Sequence, residues 1–206
     1  VELSGTYAVQ PPANAGHFLR ITGQQDGRNF CFHSKLTPVG ATHGTEPYQS
    51  LLPLEQAVQV WLDQPIGELA YPISPEGKLD AALYGSQVAA LFNQVQLAET
   101  GADFSCTSLG NDPVGLASPV TMRGVTAAYL FANTLVVLEV TEEVLRQTLE
   151  RCAAYFTLVD GQPQISEEFL LPKVEHYNYD FYAGLAYTFD LRRPVGSRVV
   201  RLAKLD

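Results

Sequence analysis

Tyr129-Leu-Phe-Ala-Asn-Thr-Leu-Val-Val-Leu-Glu-Val-Thr-Glu-Glu-Val-Leu-Arg-Gln-Thr-Leu-Glu-Arg-Cys-Ala-Ala-Tyr-Phe156 is the stretch from which the rest of the chain is read. Within it, Leu135 to Val140 is a short, nearly continuous apolar and β-branched run. Such a run predicts a strand covered on both faces, and a central one. Thr141 then offers a hydroxyl N-cap, Glu142 and Glu143 occupy the first turn, where the helix dipole favours acids, and Leu145, Leu149, Cys152 and Phe156 recur at helical spacing. A helix with one buried face is expected, aided by Glu142 and Arg146 in the favourable i,i+4 order, worth roughly 0.2–0.5 kcal/mol. At the start of the unit Tyr129, Phe131 and Asn133 alternate, two aromatic faces beside one amide. Stacking plus a hydrogen-bonding group is what a purine or pyrimidine needs, although aromatics entering a buried strand more often serve as core.

Outward from this unit the pattern is mixed. Thr6–Val9, Phe18–Thr22 and Asn29–His33 read as three short strands separated by turn residues. Residues 36–50 are rich in Pro, Gly, Thr and His without periodicity, which predicts a linker, and His43 within it reads as a solvated loop histidine. Leu54, Ala57, Val58, Trp61 and Leu62 predict an amphipathic helix with Pro53 in its first turn. A second helix is expected over roughly 79–99, ending at Gly101, followed by a short strand at 103–107 and the turn-rich loop Ser108-Leu-Gly-Asn-Asp-Pro-Val-Gly115. Thr121 to Tyr129 reads as a short helix. After an aromatic cluster at 177–182, taken chiefly as packing with hydroxyl hydrogen bonds, Leu185, Tyr187, Phe189 and Leu191 alternate with polar or small residues. A half-buried strand follows from that, paired in a hairpin with Arg198–Leu202.

Composition bounds the function. The chain has 206 residues, 46% apolar, enough for one sizeable core with a small appendage. Its 22 acids against 13 bases give a formal charge of −9, which opposes binding to a nucleic-acid polymer but not to a single nucleotide. No apolar run is long enough for a membrane span. Cys31, Cys106 and Cys152 are odd in number and widely spaced, so neither a disulfide framework nor a Cys-x-x-Cys metal site is present, and Cys152 reads as a small core residue. No nucleophile elbow, dinucleotide fingerprint, phosphate loop or His-Glu-x-x-His motif occurs. His17, His33, His43 and His176 stand singly, and no catalytic residue or metal ligand is assigned within the chain.

Several motifs in order carry a family resemblance. Tyr129-Leu-Phe-Ala-Asn-Thr-Leu-Val-Val-Leu-Glu-Val-Thr, Leu149-Glu-Arg-Cys-Ala-Ala-Tyr-Phe, His176-Tyr-Asn-Tyr-Asp-Phe-Tyr-Ala-Gly-Leu-Ala-Tyr-Thr-Phe-Asp and Pro194-Val-Gly-Ser-Arg-Val resemble the C-terminal domain of the 5′-nucleotidases, above all the 2′,3′-cyclic-nucleotide 2′-phosphodiesterase branch. The resemblance spans roughly Leu52 to Asp206. It implies an α+β domain with a mixed β-sheet flanked by helices, a short β remnant at residues 1–35 belonging to an upstream metallophosphoesterase domain, a linker at 36–50, and a nucleotide-binding domain at 51–206 truncated at its end. It further implies a metal-dependent hydrolase, a cyclic-nucleotide phosphodiesterase or 3′- or 5′-nucleotidase of nucleotide catabolism, secreted, cell-wall or cell-surface attached, or periplasmic. Two divalent metal ions would sit in the upstream domain, with their ligands before Val1, and this domain would pack against that catalytic domain while binding the nucleotide.

By position, Phe131 matches the family's first base-stacking aromatic and Asn133 the amide two residues on. Asn111 falls in the loop that contacts ribose and phosphate in nucleotidases. That loop here lacks the family's arginine, which suits the cyclic-nucleotide branch better than 5′-monophosphate binding. The second stacking aromatic belongs to a later segment the chain does not reach. One stacking platform contributes about 1–3 kcal/mol, so the chain alone is expected to be inactive and to hold a nucleotide only weakly. The alternative is a non-catalytic binding or surface-display module that kept the fold and lost the ligand, which the missing arginine, and Thr141-Glu142 in place of the family's Thr-Gly, would allow.

Overall fold

The structure, a computed structural model, describes residues 2–3, 6–12, 14–40 and 46–205. Gly5 and the loop histidine His43 lie outside them. The chain forms two compact units, Val1–Val58 and Gln59–Asp206.

In the first unit β1 (Glu2–Leu3) pairs with β2 (Thr6–Tyr7), and β3 (His17–Asp26) pairs antiparallel with β4 (Asn29–Pro38). The hairpin is twice as long as the two short strands expected from sequence. Gly27 at φ 60° makes the tight turn, and Gly23 lies under the Phe32 ring, where a Cβ would meet the ring carbons at 3.0 Å. Helix α1 (Glu46–Leu62) begins eight residues before the predicted Leu54 and carries Pro53 inside it. Pro47 takes the first-turn position, where a missing N–H costs nothing, that the sequence pattern assigns to Pro53. Leu54, Val58 and Trp61, expected to be buried, are exposed.

The second unit is built from antiparallel pairs. β5 (Pro65–Gly67) pairs with β7 (Val120–Thr121), β6 (Ser105–Ser108) with β10 (Asp180–Ala183), β8 (Phe156–Val159) with β9 (Gln162–Ile165), and β11 (Leu185–Phe189) with β12 (Val199–Lys204). Helices α2 (Lys78–Tyr84), α3 (Gln87–Thr100), α4 (Met122–Ala128) and α5 (Glu142–Ala153) complete an α+β architecture. The single helix expected over 79–99 is two. Gly85 adopts φ 101°, outside the helical range, and Ser86 restarts the chain as an N-cap whose side chain accepts from the Ala89 N–H. α3 ends where expected, on a left-handed Gly101.

The predicted central strand at Leu135–Val140 is absent. Residues 130–140 have no regular structure, and Leu138 is 72% exposed. A strand exists only by exchanging hydrogen bonds with a neighbour, and every strand pairing among the described residues is made elsewhere. The run has the propensity without the partner. The helix after it forms as read: Thr141 accepts from the Val144 N–H at 3.3 Å, and Glu142 pairs with Arg146 at 2.9 Å.

The core lies over the buried face of α5. Cys152, Tyr155, Phe156, Phe169 and Tyr179 form one cluster, and Val88, Ala89 and Leu109 a second, with Phe181 packed against both. Tyr155 meets Phe156 edge-on at 5.6 Å and Phe169 at 5.0 Å, a geometry worth about 0.5–1.5 kcal/mol per pair beyond burial. Burial pushes the Cys152 thiol up to about 12, so it is a neutral core group at physiological pH.

The C-terminal hairpin is locked to this core by Arg198, which is buried. Its Nη1 donates to the Ala153 and Phe156 carbonyls at 2.8 and 2.7 Å, and its Nε to the Arg193 carbonyl at 3.0 Å. Glu150 reciprocates, its carboxylate accepting from the backbone N–H groups of Arg198 and Val199 at 2.9 and 2.7 Å. Hydrogen bonds to charged groups contribute roughly 1.5–3 kcal/mol each, and truncating the arginine strands carbonyls at the end of α5. Arg198→Ala is therefore expected to destabilise the chain by at least about 3 kcal/mol in urea denaturation. Arg198→Lys, which keeps the charge but loses the fork, should recover less than half of that.

Candidate functional site

The loop Leu109–Gly115 leaves β6 and is held at its far end. Ile73 and Leu116 exchange N–H···O=C hydrogen bonds at 2.9 Å, and Gly115 lies so close to the Ile73 carbonyl that no Cβ fits there. In the middle, Asn111 bridges to a distant part of the chain. Its Nδ2 donates to the Val174 carbonyl at 2.9 Å, and its Oδ1 accepts from the His176 N–H at 3.0 Å. One amide thus satisfies an acceptor and a donor of the segment that opens the aromatic cluster.

That segment carries its own polar frame. Glu175 accepts from the Tyr177 hydroxyl at 3.1 Å and from Asn178 Nδ2 at 2.8 Å, and Lys173 reaches the Tyr177 hydroxyl at 3.0 Å. Tyr179 is buried and donates to the Ala82 carbonyl at 3.0 Å, so the packing role read for the cluster holds for it. The His176 ring meets the Tyr155 hydroxyl at 2.7 Å through Nδ1. Burial, which pushes the Tyr155 hydroxyl up to about 12, keeps it protonated. Burial first, and then the Lys78 charge, hold His176 below its ordinary value against the pull of Asp112.

Around the Asn111 loop these groups line a recess of about 20 Å³ with Glu76, Lys78, Ser86, Gly110 and Pro113. Lys78 Nζ donates to the Gly110 carbonyl at 3.4 Å, and burial lowers its pKa against the attraction of Asp112. Burial pushes the Glu76 carboxyl up. Hydrogen bonds from the Gln87 N–H, its own backbone and Ser86 outweigh that and keep it ionised below the usual carboxylate range. A larger groove of about 580 Å³ lies along α2, α3, β10 and β11, walled by Phe156, Tyr182, Tyr187 and Phe189. Its buried amide is already engaged, since Asn93 donates to the Phe181 carbonyl at 2.9 Å and accepts from Ser105 at 2.9 Å. The smaller recess holds the convergent polar and titratable groups that mark a site.

The other two residues singled out in the sequence lie on a turn after α4. Tyr129 packs edge-on against Phe92 at 5.2 Å, while Phe131 is 67% exposed and Asn133 is exposed, its N–H bonding the Phe131 carbonyl at 2.8 Å. The contacts of Asn111 run instead to Val174 and His176. Glu76, Lys78, Tyr155 and His176 escaped the sequence reading because only folding brings them together; the His176-Tyr-Asn-Tyr string was their one visible signal. Among the described residues no group of three or more His, Cys, Asp or Glu is placed to hold a metal ion, and no helix is long and apolar enough to cross a membrane.

The polar recess thus lies in an α+β domain, between a clasped loop and an aromatic segment. The chain belongs to the family described as 5′-nucleotidase, C-terminal domain, whose model matches residues 67–206. It is 27% identical to a Haemophilus influenzae 2′,3′-cyclic-nucleotide 2′-phosphodiesterase/3′-nucleotidase, over 70% of this chain and 25% of that protein. It is also similar to a Staphylococcus aureus protein assigned as a 5′-nucleotidase and solved in complex with alpha-ketoglutarate, at 30% identity and a TM-score of 0.76, covering 95% of this chain and 39% of the other. A 5′-nucleotidase precursor from Thermus thermophilus shares the fold, at 23% identity and a TM-score of 0.53, over 90% of this chain and 35% of that one. The chain thus spans about a quarter to two fifths of the length of these relatives.

The Asn111 clasp is testable by itself. Asn111→Ala leaves the His176 N–H and the Val174 carbonyl without partners, at about 1–3 kcal/mol. Hydrogen exchange at the His176 amide should accelerate about tenfold or more, while amides of α5 keep their protection.

Proposed function

We propose that this chain is the substrate-binding domain of a metal-dependent phosphoric-ester hydrolase acting on 2′,3′-cyclic nucleotides or on 3′- or 5′-nucleotides. The observation that carries the reading is the Asn111 clasp, which fixes the loop of the family's ribose and phosphate contacts against the His176 segment. Phe131 offers an exposed aromatic face for the base, and Asn133 an exposed amide beside it. Family membership supports the hydrolase class, and the identity to the Haemophilus influenzae protein favours the cyclic-nucleotide branch.

On this reading residues 1–35 belong to the end of an upstream metallophosphoesterase domain, residues 36–50 join it to the base-binding domain at 51–206, and the two domains pack together in the intact protein. Among the described residues no group is placed to hold the two divalent ions, so no step of the hydrolysis is assigned to this chain. Its side chains bind and orient the nucleotide. The intact enzyme would work outside the cytoplasm, at the cell surface or in a periplasm.

Phe131→Ala in the intact enzyme removes a stacking face worth about 1–3 kcal/mol, so kcat/KM on 2′,3′-cyclic AMP should fall roughly 5- to 150-fold. An unchanged kcat/KM would contradict the assignment of Phe131. The present chain alone should give no metal-stimulated turnover.

A further inference from the structure

The recess beside Asn111 contains one group whose hydrogen bonding is incomplete. Glu76 Oε1 accepts from the Gln87 N–H at 2.9 Å, and its own backbone N–H and the Ser86 hydroxyl stand near the carboxylate, but the buried Oε2 has no partner at hydrogen-bond geometry among the described residues. A buried carboxylate oxygen without a donor is costly, and native proteins rarely leave one so unless water or a ligand completes it. Across the recess stand donors. Lys78 makes one long bond to the Gly110 carbonyl, which leaves two of its three hydrogens. Tyr155 and His176, hydrogen-bonded to each other at 2.7 Å, complete the polar lining.

Size and chemistry together select the occupant. A volume of about 20 Å³ admits one water-sized group, since roughly 10–15 Å³ is needed for a water and a sugar ring or phosphate needs several times more. An ammonium would satisfy Glu76 but present nothing to Lys78. A carbonyl or phosphate oxygen would accept from Lys78 but would meet the ionised Glu76 as a repelled acceptor. A hydroxyl does both, donating to one side and accepting from the other. Leu109, Pro113 and Phe181 give the lining an apolar part, as suits the C–H face that carries the hydroxyl.

We propose that the recess is a hydroxyl subsite that takes one sugar hydroxyl of the ligand, accepted by Glu76 and supplied with a donor by Lys78. A water fills it when no ligand is present. The assignment of that hydroxyl to the ribose of a nucleotide rests on the function proposed above, whereas the subsite itself rests on the recess.

The test measures D-ribose and adenosine binding to the full chain by saturation-transfer NMR and calorimetry. The wild type is set beside Glu76→Gln, Lys78→Met and Phe131→Ala. Glu76→Gln can keep an acceptor for the Gln87 N–H, so α3 stays capped, while the charge is lost. Wild type should bind both ligands, Glu76→Gln and Lys78→Met should each weaken ribose about tenfold or more, and Phe131→Ala should weaken adenosine but not ribose. Ribose binding that depends on Glu76, with no added contribution from the base, would sink the base-stacking reading and leave the subsite standing. Ribose binding that ignores both Glu76→Gln and Lys78→Met, or no ribose binding at all in the folded wild type, would overturn the subsite.

Discussion

The second unit depends on how Arg198 closes the end of α5. A guanidinium placed among the carbonyls of Ala153, Phe156 and Arg193 supplies donors where the helix has run out of its own, at the negative end of its dipole. Glu150 takes the backbone N–H groups of Arg198 and Val199, where β12 begins, so the helix and the hairpin are bonded in both directions. The Tyr155 and His176 side of the recess is attached to this junction. Tyr155 follows directly from α5, Phe156 starts β8, and the His176 segment is positioned by the Tyr155 hydroxyl on one side and Asn111 on the other. A buried charge of this kind holds geometry because its Nε and Nη1 are bonded to three carbonyls, and its removal leaves those carbonyls dry.

What the sequence disclosed follows from the range of the interactions involved. The helix α5, its Thr141 cap and its Glu142–Arg146 pair rest on contacts within four residues and were legible. So was the pairing of β11 with β12, whose alternation declares one buried face. Leu135–Val140 failed for the opposite reason: its residues favour a strand, but strand formation depends on a partner elsewhere, and none of the described pairings includes it. The break at Gly85 was missed because the apolar spacing continues through it, while one glycine and a capping serine outvote that spacing. At the candidate site, Asn111 was singled out from a resemblance in its loop, and its two bonds to residues more than sixty positions away could not be read from the chain. Glu76 and Lys78 lie even further from His176 in sequence.

As proposed, the site is a binding arrangement. Its polar groups are small in number, and each is fixed by a backbone contact: Glu76 by the Gln87 N–H, Lys78 by the Gly110 carbonyl, and Asn111 by the 174–176 segment. Such fixed groups orient a ligand at little entropic cost. Phe131 and Asn133 are different, since their turn is exposed and its one described backbone bond is local. A base stacking there would order them on binding. On the function proposed above, the domain offers a fixed contact for a single hydroxyl at the recess and an adaptable contact for the base at the exposed turn.

The central claim is that a nucleotide binds at the Asn111 clasp. Titrating isotope-labelled chain with 2′,3′-cyclic AMP and following backbone amides by NMR tests it most directly. The account predicts shifts concentrated at residues 109–115, 174–178 and 129–133, with an affinity in the millimolar range that about 4 kcal/mol of binding energy provides. Shifts confined to the aromatic groove along α2, α3, β10 and β11, or no shifts at saturating nucleotide, would contradict it.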